Sequence, residues 1–347
     1  MTKRFVFFVN ADYCYSIFRP LQEEVLRQGY EAAWFFVRGL DAKLAPGEIC
    51  LGTEEQVKSY APDAIFAAGD WVPHYLPGYK VMVFHGLSIN KRGTKQNAHY
   101  KIRGWYDLYC THAEQDTQIF IELSKQNQNF RVAHTGWPKL DSLFKLKKNY
   151  TGHAKKEKTV FFASTFSPSI TAAPYVLDKL IEISKSEGWS VIATLHPLMD
   201  EVIVQQYKSA RSSTFKYLSA SENLYEAMIR SDVMLCDTSS VMYEFMFLDK
   251  PVVTFRTKNP GDFISNVNEV DDIFPALEKA VNDSDIQRSR AQEVCKDLHS
   301  FSDGESSKRV LEATIAAIQT GNIGLKPRKI SAIRRLKLRK RLGYWGC

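Results

Sequence analysis

The sequence predicts an α/β protein of two Rossmann-like domains, each a parallel sheet between helix layers, facing each other across a central cleft, with a basic C-terminal tail. Three observations predict it. Short, continuously apolar runs alternate with segments of helical periodicity; the alternation stops at a polar, Lys-rich stretch and then restarts; and each half is an ordinary domain of about 150 residues. Uninterrupted apolar runs mark strands covered on both faces, as parallel sheets require.

In the first half the runs at 5–9, 32–37, 64–67, 81–84, 108–111 and 132–135 read as strands, with helices over 18–28 and 113–125. In the second half 160–163, 191–195, 215–217, 233–236 and 252–255 read as strands, and 175–185, 223–230 and 240–248 as helices. Further helical stretches follow residue 274. The expected division is a first domain over 1–145, a linker over 146–158, a second domain over 159–320 and a tail over 321–347.

Composition narrows the class. The 347 residues are 44% hydrophobic and 24% charged, enough for real cores, which excludes disordered and low-complexity chains. The formal charge of +7 belongs to the tail. Residues 326–341 carry nine Lys and Arg and no acid, leaving a body with slightly more acids than bases. That points to a local anionic partner, a membrane surface along 326–345, with no nucleic acid expected from the near-neutral body. Ile330, Ile333, Leu336, Leu338 and Leu342, followed by Tyr344 and Trp345, suit an interfacial helix on anionic lipid, with RNA binding or simple disorder of the tail as the alternatives. The six cysteines form no CxxC or Cys/His knuckle, so neither disulfides nor a metal site is expected and the thiols read as reduced and cytosolic. The apolar run after Lys3 and Arg4 is too short for a signal core or a membrane span.

Ligands of open α/β sheets bind at the carboxyl ends of strands, so the residues there carry the chemistry. His85 ends one strand in the run HGLSINKRG, with Lys91 and Arg92 beyond it. It reads as a general base on a hydroxyl, the two cations as phosphate or acceptor contacts; the alternative is a structural histidine beside a surface basic pair. His196 ends another strand, its backbone held extended by Pro197. Asp237, Thr238, Ser239 and Ser240 join a buried strand to a helix, a setting for an anion such as a diphosphate or for simple capping. Glu244 lies on the same helix face as Ser240 and either accepts ribose hydroxyls or is solvated. Thr165, with Ser167 and Ser169, follows the first strand of the second half as a candidate phosphate contact. Asp303, Gly304, Ser306 and Ser307 open the last long helix, as a cap or as a ligand contact. There is no GxGxxG, P-loop, GxSxG or HExxH, and the one DxD, at Asp283 and Asp285, does not follow a strand.

Five pieces in order resemble the CDP-glycerol glycerophosphotransferase family, the teichoic-acid primase and polymerase group of GT-B fold. They are Phe84-His85-Gly86 with Lys91, the run TGWPKLDSLF at 135–144, His196-Pro197, DTSSVMYEFMFLDKP at 237–251 and DGESSKRV at 303–310. The resemblance spans about residues 84–312 and implies an acceptor-side first domain and a nucleotide-donor second domain. It implies metal-independent, cofactor-free transfer of a polyol phosphate, glycerol phosphate above all, from a CDP-linked donor to a lipid-linked or glycan acceptor at the inner face of the cytoplasmic membrane. His85 would deprotonate the acceptor, and His196 with Ser239 and Ser240 would hold the diphosphate as CMP leaves. One departure concerns the acceptor side. The family commonly has HG-T-P-x-K, whereas four residues, one more than in that pattern, and no proline separate His85-Gly86 from Lys91 here. A CMP-sugar or UDP-sugar transferase of the same fold, or a non-catalytic nucleotide- or glycan-binding protein, are the alternatives.

Overall fold

The structure is a computed structural model that describes residues 2–88, 98–152, 157–219, 222–258, 260–283 and 285–345. Two compact units make up the chain, Met1–Ser142 with Asp297–Cys347, and Leu143–Lys296.

The first unit begins β1 (Arg4–Val9), α1 (Tyr13–Arg27), β2 (Glu31–Phe36), β3 (Ile49–Leu51), α2 (Glu54–Tyr60), β4 (Ala64–Ala67) and β5 (Tyr79–Met82). It continues with β6 (Leu108–Thr111), α3 (Glu114–Asn127), β7 (Arg131–His134) and the start of α4 (Lys139–Asn149). Its seven strands are all parallel, in the order β3-β2-β1-β4-β5-β6-β7. The run RFVFFV shows why β1 is central: Val6 and Phe8 enter one core while Phe7 stacks with Phe66 behind it. β3 and α2 escape the apolar pattern because β3 is a three-residue edge strand with Ile49 and Cys50 exposed. The helix after it starts on a capping box, the Thr53 hydroxyl accepting from the Gln56 N–H while Gln56 accepts from Thr53 N–H.

The second unit runs β8 (Thr159–Ser164), α5 (Ala173–Ser186), β9 (Ser190–Leu195), α6 (Glu201–Ser209), β10 (Phe215–Leu218) and α7 (Leu224–Arg230). Then come β11 (Val233–Cys236), α8 (Val241–Met246), β12 (Val252–Phe255), β13 (Ser265–Val267), α9 (Ile273–Asn282) and α10 (Asp285–Leu298). The six parallel strands lie in the order β10-β9-β8-β11-β12-β13. Val176, Leu180 and Ile183 form the buried stripe of α5, at helical spacing, against Val160, Val191 and Val233 of the sheet. In both sheets the order reverses once, between β1 and β4 and between β8 and β11. Those two reversals leave crevices at the carboxyl ends of the strands.

Two helices complete the first unit, α11 (Ser306–Thr320), which packs on α1, and α12 (Ala332–Leu342). The division thus departs from the expected one. α11, expected within 159–320, and the tail over 321–347 both join the first unit, because their buried residues find partners there. Leu338 and Leu342 enter the core that holds Val6, Phe8, Trp105 and Tyr106. The linker expected over 146–158 is in part the end of α4, which carries its helix to Asn149. Among the described residues no helix is long and apolar enough to cross a membrane.

Candidate active site

In the first unit the switch between β1 and β4 brings Asn10, Tyr13, Ala68 and Gly69 together. A Cβ at Gly69 would lie 2.2 Å from Asn10 Nδ2, so a side chain there would displace the Asn10 amide. β5 stops at Met82, two residues earlier than expected, and Phe84 takes φ +57°. This left-handed conformation is costly for an aromatic residue and turns the chain sharply. It is held by Trp137, whose indole Nε1 donates to the Phe84 carbonyl at 3.2 Å.

His85 follows that turn, exposed, its ring 5.3 Å from that of Tyr13. Its Nδ1 lies 3.1 Å from the Ala68 carbonyl, which can only accept. Nδ1 therefore carries the proton, and Nε2 presents a lone pair. Burial pushes the Tyr13 hydroxyl up to about 12, so it stays protonated and donates to Asn10 Oδ1 at 3.1 Å. A cavity of about 250 Å³ opens beside His85, lined by Asp70, His99, Lys101, Arg103 and Tyr106 among others. Asp70 pairs with Arg103 at 3.1 Å, and burial lowers the pKa of His99. Lys91 and Arg92 lie outside the described residues.

In the second unit the switch between β8 and β11 is closed by Asp237. Its carboxylate, fully buried, accepts from the Ser164 hydroxyl at 2.5 Å, Thr165 N–H at 2.9 Å and Ala172 N–H at 3.0 Å. The expectation that Asp237 contacts phosphate is corrected. A buried carboxylate already saturated by donors repels an anion, and it works instead as the bracket that shapes the loop carrying Thr165. Burial raises its pKa against the bonds that favour the ion.

Thr165, Thr238 and Ser239 are half-buried and Ser240 is exposed. Ser240 precedes α8 without a side-chain capping bond, so its hydroxyl is not spent on the helix. Glu244 differs from the expectation of an open helix face. It is buried, and the Tyr225 hydroxyl donates to its Oε2 at 2.6 Å. His196 stands exposed at the end of β9 with Phe166 tilted on its ring, 4.5 Å between centroids. The Leu198 N–H donates to His196 Nδ1 at 3.1 Å, which leaves the ring proton on Nε2. Partial burial lowers the His196 pKa and favours this neutral form. Thr165, His196 and Thr238–Ser240 thus stand at the ends of three neighbouring strands, β8, β9 and β11. A groove of about 450 Å³ at the amino end of the same sheet, between Thr159, Ser190 and Thr214, holds none of them.

Sequence reasoning missed Ser164, Tyr13, Asp70, Arg103 and Tyr225, whose importance comes from the partners the fold gives them. It also left the 303–307 run open between cap and ligand contact. There Asp141 accepts the Ser306 and Ser307 N–H groups at 2.8 and 2.7 Å and so caps α11, while Trp137 N–H donates to His299 Nε2 at 2.8 Å. Gly136, at φ +79°, passes so close that a Cβ would meet Ser306 Oγ at 2.5 Å. Two of the five motifs, 135–144 and 303–310, therefore interlock as structure. Among the described residues no cluster of His, Cys, Asp or Glu is arranged to hold a metal ion.

Comparison with known proteins places this geometry. The teichoic acid glycerol-phosphate primase of Bacillus subtilis (strain 168) is 25% identical over 230 residues, 61% of this chain and 58% of the relative, so the chain spans less than two thirds of that protein's length. A solved structure of the wall teichoic acid polymerase TagF superposes with a TM-score of 0.64 at 14% identity, covering 92% of this chain and 89% of TagF. A putative UDP-N-acetylglucosamine 2-epimerase from Listeria monocytogenes gives 0.61 at 12% identity, over 95% and 100%. These likenesses show the GT-B fold. The CDP-Glycerol:Poly(glycerophosphate) glycerophosphotransferase family matches residues 79–316, from β5 through most of α11 and across both site histidines. The chain is a member of that family.

Proposed function

We propose that the chain transfers glycerol phosphate from CDP-glycerol to a hydroxyl of a lipid-linked or glycan acceptor, releasing CMP, in the synthesis of a cell-surface polymer. The observation that carries this reading is the opposite polarity of the two histidines. His85 presents a basic lone pair at Nε2, and His196 presents an N–H. One accepts a proton and the other donates a hydrogen bond, which is the division of labour that phosphoryl transfer to a hydroxyl needs.

In this scheme the acceptor O–H proton passes to His85 Nε2 as the oxygen attacks the β-phosphorus. The bond from that phosphorus to the bridging oxygen breaks, and CMP leaves with the electron pair. His196 Nε2–H and the hydroxyls of Thr165, Thr238, Ser239 and Ser240 stabilise the charge on the diphosphate. Asp237 and Glu244 hold the loops behind them. Lys91 and Arg92 belong to the acceptor side of this reading, and the basic segment 326–345 is the part that meets an anionic membrane, which makes the protein peripheral on its cytoplasmic face.

Family membership and the 25% identity to a glycerol-phosphate primase support the donor, as does a TagF structure soaked with CDPG. The test is CMP release from CDP-glycerol in EDTA, with thermal melting against CDP-glycerol and UDP-N-acetylglucosamine. Stabilisation by the cytidine ligand and turnover lost in His85→Ala support the reading. Stabilisation by the uridine ligand alone moves the chain to the UDP-sugar enzymes of the same fold, and binding without turnover makes it a binding protein.

A further inference from the structure

The basic C-terminal segment holds Arg103 of the cavity beside His85 and residues adjoining two of its lining residues, Asp70 and Tyr106. Arg328 binds the Trp105 carbonyl and pairs with Asp107 at 2.9 Å, and Arg334 donates to the Arg103 carbonyl at 3.3 Å. Gly104 lies so close under the segment that a Cβ would meet the Lys329 carbonyl at 2.7 Å. At the other end of α12, Arg341 lies over Trp71 at 4.7 Å, Arg339 over Tyr75 at 5.2 Å, and Tyr344 stacks on Tyr75 at 4.8 Å. Segments 103–105 and 71–75 adjoin Arg103 and Asp70, the ion pair that lines the cavity.

The docked face of α12 is Arg334, Leu338 and Leu342, at successive turns. Its opposite face carries Ile333 at 67% exposure and Leu336 at 56%, with Lys337 and Lys340 on the same stripe. Trp345 beyond it is 62% exposed. No acid occurs from 326 to 345, and Arg335 with Arg339 and Lys337 with Arg341 are like charges one turn apart, which weaken the helix. Apolar side chains among exposed lysines fit the headgroup region of an anionic bilayer.

We propose that α12 couples an anionic bilayer to the cavity: lipid phosphates on the outward stripe relieve the repulsion along the helix and so tighten its hold on 71–75 and 103–105, ordering the walls beside His85. This rests on reading that cavity as the acceptor side of a membrane-facing transferase. By linkage, whatever binds the docked helix more tightly than the frayed one stabilises the docked state and the cavity walls with it.

The test is hydrogen exchange of the full chain with vesicles of phosphatidylcholine, alone or mixed with phosphatidylglycerol. Exchange over 70–76 and 101–106 is expected to slow about tenfold with the anionic vesicles only. Ile333→Asp with Leu336→Asp, exposed positions that leave the core intact, should abolish vesicle sedimentation and the slowing together. Sedimentation without slowing overturns the coupling, and slowing that persists in the double variant overturns the assigned surface. A chain that slows as expected but releases no CMP from CDP-glycerol overturns the transferase reading instead.

Discussion

Asp237 and Thr165 join the ends of β11 and β8: the carboxylate accepts the Thr165 N–H at 2.9 and 3.1 Å. With Ser164 and Ala172 on the same carboxylate, one side chain fixes the loop that carries a proposed phosphate contact. Asp237→Ala leaves those donors unpaired in a buried place, a loss of about 3 kcal/mol by urea unfolding and a weaker response to CDP-glycerol in thermal melting. Asp237→Asn, which keeps the volume but turns an N–H₂ toward some of the donors, should fall between.

His85→Ala should lower kcat about 10²–10⁴-fold while leaving CDP-glycerol binding within a factor of a few. Calorimetry on the variant separates the two. A large loss of donor affinity would show that His85 is not acting as a base.

For His196 the geometry asks only for an N–H donor. His196→Gln, which can supply one, should retain more turnover than His196→Ala, the latter falling about tenfold to a hundredfold. Equal losses in steady-state assays would place the role of the ring elsewhere, for example in packing on Phe166.

Acid should loosen the lock between 135–141 and 299–309. Burial, with the Arg309 charge adding to it, pushes the His299 pKa down to about 4, below the ordinary value of 6.5, and its Nε2 accepts from Trp137 N–H. The unfolded chain therefore binds the proton more readily between those values, so stability falls as pH drops from 6.5 to 4. Asp303, held down to about 2 by the Arg309 guanidinium, adds to the loss below pH 4. Denaturation followed from pH 7 to pH 4 should lose about 3 kcal/mol at this site, and His299→Gln should flatten the profile.

Much of the fold is legible wherever a segment's own residues determine its state. RFVFFV and TVFFAS are strands buried on both faces because every side chain in them needs cover, and the sequence signal is the continuous run. The histidines at strand ends are legible for the same reason, as a strand boundary can be read locally. Long-range pairing is not local. Nothing in the 303–307 run says that Asp141 caps it, and nothing near Asp237 says that its donors lie 65 to 73 residues away. The docking of Leu338 and Leu342 on the first core is invisible in a segment whose charge suggests a free tail. Residues 1–78 lie outside the family match yet supply Asn10, Tyr13 and Asp70 to the surroundings of His85.

The return of the chain to its first unit bears on how the protein is made. Leu143–Lys296 is one continuous stretch, whereas its companion is interrupted by it and lacks α11 and α12 until residues 297–347 are translated. The inserted body can fold as it leaves the ribosome. The body built around His85 must wait, with the α1 surface that α11 covers and the core that Leu338 and Leu342 fill still open to water. A nascent chain arrested before residue 297 would hold a finished second unit and an unfinished first one. Translation of residues 297–347 is thus the event that brings the basic segment and the completed surroundings of His85 into being together.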